Sequence, residues 1–159
     1  MFPEASEGTS GPTLRGVTTL PSGLVPVVEG LRAQAKEKTI SPDDLFWLIS
    51  SELATGNLAM AEVHLKEPIA SEIRFLKLRA ILQYRENNLT EAAEYFRTVI
   101  AKNPKDAEAE FNLGFILVER DGATKEALQL LNQASGSKSP QTRQRAQNTL
   151  DSLLQTNSR

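Results

Sequence analysis

Cysteine is absent from the 159 residues, which removes disulfides, thiolate metal ligands and a cysteine nucleophile at once. Histidine occurs once, as His64. A Ser/His hydrolytic site or a multi-histidine metal centre therefore has no members to draw on, and a lone helical histidine reads as surface or packing. No apolar run approaches the roughly 20 residues that cross a bilayer, so direct membrane insertion is not expected. Nor does the chain open with a basic segment followed by an apolar one, the mark of a signal peptide. Charge of one sign is also missing. The 18 Lys and Arg against 20 Asp and Glu leave −2, too little field to draw the protein to nucleic acid or an anionic membrane. Gly8, Gly11 and Gly16 lie in a tail and not between a strand and a helix, so no phosphate loop is formed. Glu108 and Glu110 lie on opposed helix faces and give no paired carboxylates for acid/base work. The reading is of a non-catalytic protein with no cofactor and no metal.

What the chain does contain is helical periodicity. Hydrophobic residues make up 40% and charged residues 24%, enough for one domain with a sizeable core. The stretch Ile73 to Asp106 organises the rest. Phe75, Leu76, Ala80, Ile81 and Tyr84 recur at three- and four-residue steps, as do Ala92, Ala93, Phe96, Val99 and Ile100. Between the two sets, Asn87-Asn88-Leu89-Thr90 supplies turn formers, with Thr90 expected to cap the second helix. Pro104 ends the unit. Such a hairpin has more apolar face than it can cover alone.

These residues resemble a tetratricopeptide repeat, a helix–turn–helix of about 34 residues. With Pro104 on the closing proline, Ala80 and Ala92 fall on the family's small positions and Phe96 on its aromatic one. Leu76 replaces the usual early tryptophan. Arg79 stands where a leucine is usual, and Val99 where an alanine is usual. The resemblance implies an all-α protein, a right-handed α-solenoid of antiparallel helical hairpins.

In chain order, residues 1–22 are rich in Gly, Ser, Thr and Pro and are expected to form a disordered tail. Residues 23–38 form a short amphipathic helix on Leu24, Val27, Val28, Leu31 and Ala35, read as a cap over the open end of the stack. The alternative is a segment that dimerises or fills the groove of the protein. The repeat domain spans 41–154. Its first repeat, about 41–68, starts at Ser41-Pro42-Asp43-Asp44, a cap followed by proline and two acids at the positive end of the helix dipole. Ala61 and Ala92 stand 31 residues apart, so this repeat is three short and Glu67-Pro68 ends it early. The central repeat is about 73–106. The third, about 107–136, carries Phe111-Asn112-Leu113-Gly114, with Leu113 and Gly114 on family positions. Its turn has one extra residue and Thr124 is placed to cap. Ser139-Pro140 opens a closing helix, 140–154, striped by Ala146, Leu150 and Leu153, with Arg143 and Arg145 read as a solvated face. Residues 155–159 are expected to fray.

In this family the first helices of successive repeats line a concave groove that holds a peptide or partner segment. The resemblance places Phe46 and Ser50 there from the first repeat. The second contributes Arg74, Lys77, Ile81, Tyr84 and Arg85, and the third Glu108, Phe111, Asn112, Phe115 and Glu119. An aromatic and aliphatic floor with a basic middle suits a peptide with apolar anchors and an acidic group. Some members hold a terminal carboxylate with a Lys, Asn and Arg set; only Lys77 and Asn112 match it, so that arrangement is not expected. The implied function is a protein-binding adaptor or scaffold within a larger assembly. The layout is also similar to the translocator chaperones of bacterial type III secretion, which makes a dedicated chaperone for a secretion or pilus subunit the alternative. A self-associating structural module, a homodimer through the N-terminal segment, is a third reading. The expected compartment is the cytoplasm, with a processed periplasmic form or a fragment of a larger protein as alternatives.

Overall fold

A computed structural model describes residues 14–15 and 18–157. Among the described residues eight α-helices follow one another: α1 (Val25–Lys36), α2 (Pro42–Ala54), α3 (Leu58–Leu65), α4 (Ile73–Arg85), α5 (Leu89–Lys102), α6 (Ala107–Asp121), α7 (Lys125–Ser135) and α8 (Pro140–Asn157). Short 3-10 turns cover Ser22–Leu24 and Pro68–Ser71. No strand occurs among the described residues, and the fold is the all-α helical-repeat class read from the sequence. None of the described helices is long and apolar enough to cross a membrane. Two compact units divide the chain, Met1–Leu82 and Gln83–Arg159, and the boundary falls inside α4.

The first unit is built on α2. Leu45, Leu48, Ile49 and Leu53 recur on one face of that helix and are all fully buried. Ala61 and Leu65 of α3 and Val28, Leu31 and Ala35 of α1 close over them. The apolar stripe of α1 is thus covered within its own unit. Ser41 caps α2 as its position predicts, its Oγ accepting from the Asp44 amide at 3.2 Å and donating to the Asp44 carboxylate at 2.7 Å. At the start of the unit, the Thr18 amide donates to Ala54 O at 2.8 Å. This anchors chain where the sequence reads as a disordered tail; residues 1–13 and 16–17 of that tail lie outside the described residues.

In the second unit α5, α6, α7 and α8 pack in sequence. Ala92, Ala93 and Phe96 of α5, Ala109, Leu113, Ile116 and Leu117 of α6, and Ala127 and Leu131 of α7 are among its buried residues. Gly114 has the role its motif implies. A Cβ there would stand 3.0 Å from the Leu131 side chain and 3.2 Å from Ala127 O, so any other residue would require α6 and α7 to give by a few tenths of an ångström. Thr124 caps α7, accepting from the Ala127 amide at 3.2 Å. The closing helix runs to Asn157, past the point where fraying was expected, and residues 158–159 lie outside the described residues.

One expected cap is different. Thr90 lies within the first turn of α5, and Asn88 takes the N-cap position without a side-chain bond to the helix. Its amide instead donates to Gln83 Oε1 at 2.8 Å. The reason is the tight turn between α4 and α5. Asn87 adopts φ 65°, and the Asn88 amide reaches back to Gln83 O at 2.8 Å. That is the left-handed closure of a Schellman ending, which uses residues 87 and 88 and leaves none for a cap at 90.

Candidate functional site

Arg74 of α4 is the centre of the expected site residues in the first unit. Its guanidinium lies over the rings of Phe46 and Phe75, 5.5 and 5.4 Å from their centres. The rings themselves meet edge to face at 5.7 Å. Asp43 and Glu72 then pair with the same guanidinium at 2.6 and 2.9 Å. Phe46 and Arg74 are therefore brought together, in a cluster whose cation already has its carboxylates. Ser50 and Lys77 are half-buried, and Ser50 Oγ lies buried without a hydrogen-bond partner among the described residues. Ile81 belongs to the core at 4% exposure, because the stripe of α4 that carries Leu78 and Leu82 turns it inward. As the helix stands it offers a ligand no surface.

In the second unit Tyr84, Phe115 and Glu119 come together. The Tyr84 and Phe115 rings lie 6.4 Å apart, and the Tyr84 hydroxyl donates to Glu119 Oε2 at 2.5 Å. Both aromatics are half-buried and Glu119 is exposed. Phe111 continues the row, 5.9 Å from Phe115. Phe111 is nevertheless only 3% exposed, packed with Leu131, Ala134 and Ala146 beneath α8. It supports the row from below and is not its surface. Asn112 is likewise buried at 3%, with its Oδ1 lacking a hydrogen-bond partner among the described residues. Arg85 is half-buried, and burial lowers its pKa from the ordinary value. Glu108, at the start of α6, is also half-buried.

Two polar features escape sequence reasoning. The first is a buried network in the first unit. Glu52, 1% exposed, accepts from Arg32 Nε of α1 at 3.1 Å through one oxygen. Its other oxygen meets His64 Nδ1 of α3 at 2.8 Å. His64 is thus a packing histidine, joined to a carboxylate that binds three helices. Nothing in a separation of twelve residues between Glu52 and His64 signals this contact. The second feature is Arg145 of α8. The sequence reads it as solvated, but its guanidinium sits 4.3 Å from the centre of the Phe111 ring. It lies beside the Ala146–Leu150–Leu153 stripe, and a long side chain at such an edge can fold over the adjacent apolar surface.

Arg79 also finds its explanation. In place of the usual leucine, its guanidinium donates to Leu65 O at the end of α3 and to Ala70 O at 3.2 Å. It thereby ties down the 3-10 turn Pro68–Ser71 that follows the shortened first repeat. Helix ends leave carbonyls without intrahelical partners, and Arg79 satisfies two of them.

Among the described residues no group of acidic, histidine or cysteine side chains is arranged to hold a metal ion. Residues 83–147 match a family model described as tetratricopeptide repeat. No curated protein and no solved structure matches the chain.

Proposed function

From the premise that this chain belongs to the tetratricopeptide-repeat family, through residues 83–147, we propose that it is a non-catalytic adaptor that binds a peptide or partner segment on the surface of its second unit formed by Tyr84, Phe115 and Glu119. Repeats of this kind are generally protein-interaction modules, and stacked helical repeats present extended binding surfaces. The observation that carries the reading is the row formed by Tyr84 and Phe115 with Glu119 at its edge. Half-buried aromatics with a polar group at hand are the side chains that dominate interface energies, since they bury area at little entropic cost. Within the first unit, taken by itself, Phe46 and Arg74 form a cluster that stacks cation on ring. Its N-terminal helix reads as a cap, because Val28, Leu31 and Ala35 are already buried against α2. That placement leaves little apolar stripe for a homodimer.

The test is affinity capture from native lysate with wild type and a Tyr84→Ala/Phe115→Ala variant whose helicity is verified by circular dichroism. A partner held by wild type and lost from the folded variant is the expected result. The same partner on both proteins would move the site off this row. The nature of the partner then separates an adaptor, found within a standing assembly, from a secretion chaperone, found with an exported subunit.

A further inference from the structure

Arg145 is a cation whose hydrogen-bonding capacity the fold leaves open. Of the other arginines in the second unit, Arg97 donates to Glu94 and Glu126, Arg120 to Asp121, and Arg143 to Ser137 O. Arg85 also has an interaction of its own. Arg145 makes no hydrogen bond or ion pair among the described residues, although its side chain is half-buried. Burial lowers its pKa from the ordinary value, and the charge of Glu108 works in the opposite direction. A guanidinium carries five N–H donors, and taking it part-way out of water without partners is unfavourable. The Phe111 ring, 4.3 Å away, returns part of that cost through its negative face and holds the group in place. An arginine fixed in this way has little rotamer freedom left to lose when an anion arrives.

The surroundings define the anion. Glu108 supplies one negative charge near the guanidinium, so a singly charged ligand is tolerated better than a dianionic phosphate. A planar carboxylate also matches the guanidinium fork with two parallel hydrogen bonds. Phe115 lies 5.9 Å from the Phe111 ring, and Tyr84 lies 6.4 Å beyond Phe115. An apolar anchor therefore belongs next to the acidic group. We propose that Arg145 reads a side-chain carboxylate of the bound partner, an Asp or Glu neighbouring an apolar residue that rests on Phe115 and Tyr84. This inference rests on the peptide-binding reading above and adds a residue from the closing helix.

A random peptide library displayed on phage is selected against the full chain as wild type, Arg145→Gln and Arg145→Lys. Wild type is expected to enrich peptides with Asp or Glu at one position beside an apolar residue. Selection on Arg145→Gln keeps the apolar position and loses the acidic one. A synthetic wild-type-selected peptide then binds Arg145→Gln roughly tenfold or more weakly, the scale of one charge-assisted hydrogen bond. Arg145→Lys keeps the charge but loses the fork, and falls between the two; it also carries the test if the glutamine variant does not fold. Enriched peptides without an acidic position, or with one that persists in both variants, overturn the role of Arg145 while leaving peptide binding intact. Tighter binding of the peptide with phosphoserine in place of its acid overturns the choice of carboxylate. A wild type that enriches no peptide at all sinks the peptide-binding reading itself.

Discussion

Arg79 shows how a residue that departs from its family pattern can be the one its local structure requires. A leucine at this position would bury apolar area worth about 1.5–3 kcal/mol. It would also leave Leu65 O and Ala70 O without their donor, at roughly 1–3 kcal/mol for each carbonyl that cannot reach water. The second effect wins because the side chain is only half-buried, so a leucine gains less than its full transfer value. Arg79→Leu, although it restores the family consensus, is expected to lower stability by about 1–3 kcal/mol, measured as a shift of the urea midpoint. A variant as stable as wild type would show that water replaces the guanidinium at both carbonyls. The same scale explains what was legible. Ser41 and Thr124 announce themselves because a cap is a local event, decided within three residues. Arg145 and His64 are decided by a ring and a carboxylate from other helices, and local spacing carries no trace of those. Phe111, Asn112 and Ile81 are the opposite case, buried where a groove position was expected, since family position selects residues on a helix face but not their final depth.

At the scale of the element, three turns share one backbone. Lys38, Gly56 and Asn87 each take positive φ, at 58°, 77° and 65°. Each is followed by an amide that reaches back five residues, Thr39 to Gln34 O, Asn57 to Glu52 O and Asn88 to Gln83 O, at 2.9, 2.8 and 2.8 Å. The geometry is common, but its conformational cost is not. Glycine adopts it freely and asparagine tolerates it, whereas lysine pays about 1–2 kcal/mol. Lys38→Gly is therefore expected to stabilise the protein by about 1 kcal/mol, Asn87→Gly by a few tenths, and Gly56→Ala to destabilise it by about 1 kcal/mol. Thermal melts of the three variants test the order. If Lys38→Gly melts below wild type, the Lys38 side chain makes a contact that outweighs its strain. The existence and order of the helices from 41 onward were legible because their stripes are long and their turns are marked. The Thr90 cap was not, because two asparagines in sequence can close a turn in more than one register.

For the molecule as a whole, the division inside α4 gives two units that a single helix joins. Stability in stacked repeats is a sum of local terms and nearest-neighbour interfaces, so damage need not spread evenly. The single tryptophan, Trp47, lies in α2 of the first unit and serves as a probe placed in that unit. Gly114→Val places two methyl groups where even a Cβ meets Leu131 and Ala127 O, an overpacking that costs about 1–3 kcal/mol. Its far-ultraviolet dichroism transition in urea is expected to shift further than its Trp47 fluorescence transition. Coincident shifts would mean that α4 couples the units into one cooperative block.

The Arg32–Glu52–His64 network has a consequence for inheritance. Its members sit on α1, α2 and α3, and each partner compensates a charge or dipole that the others bury. A descendant that loses Arg32 leaves Glu52, 1% exposed, with only His64 to meet it, and breaking a buried pair from one side costs more than replacing the whole set. The three positions should therefore drift as a block across lineages. For the same reason the first hairpin is not a portable cassette: moved into another array without the helix that precedes it, it would arrive with a buried acid that keeps His64 but has lost Arg32.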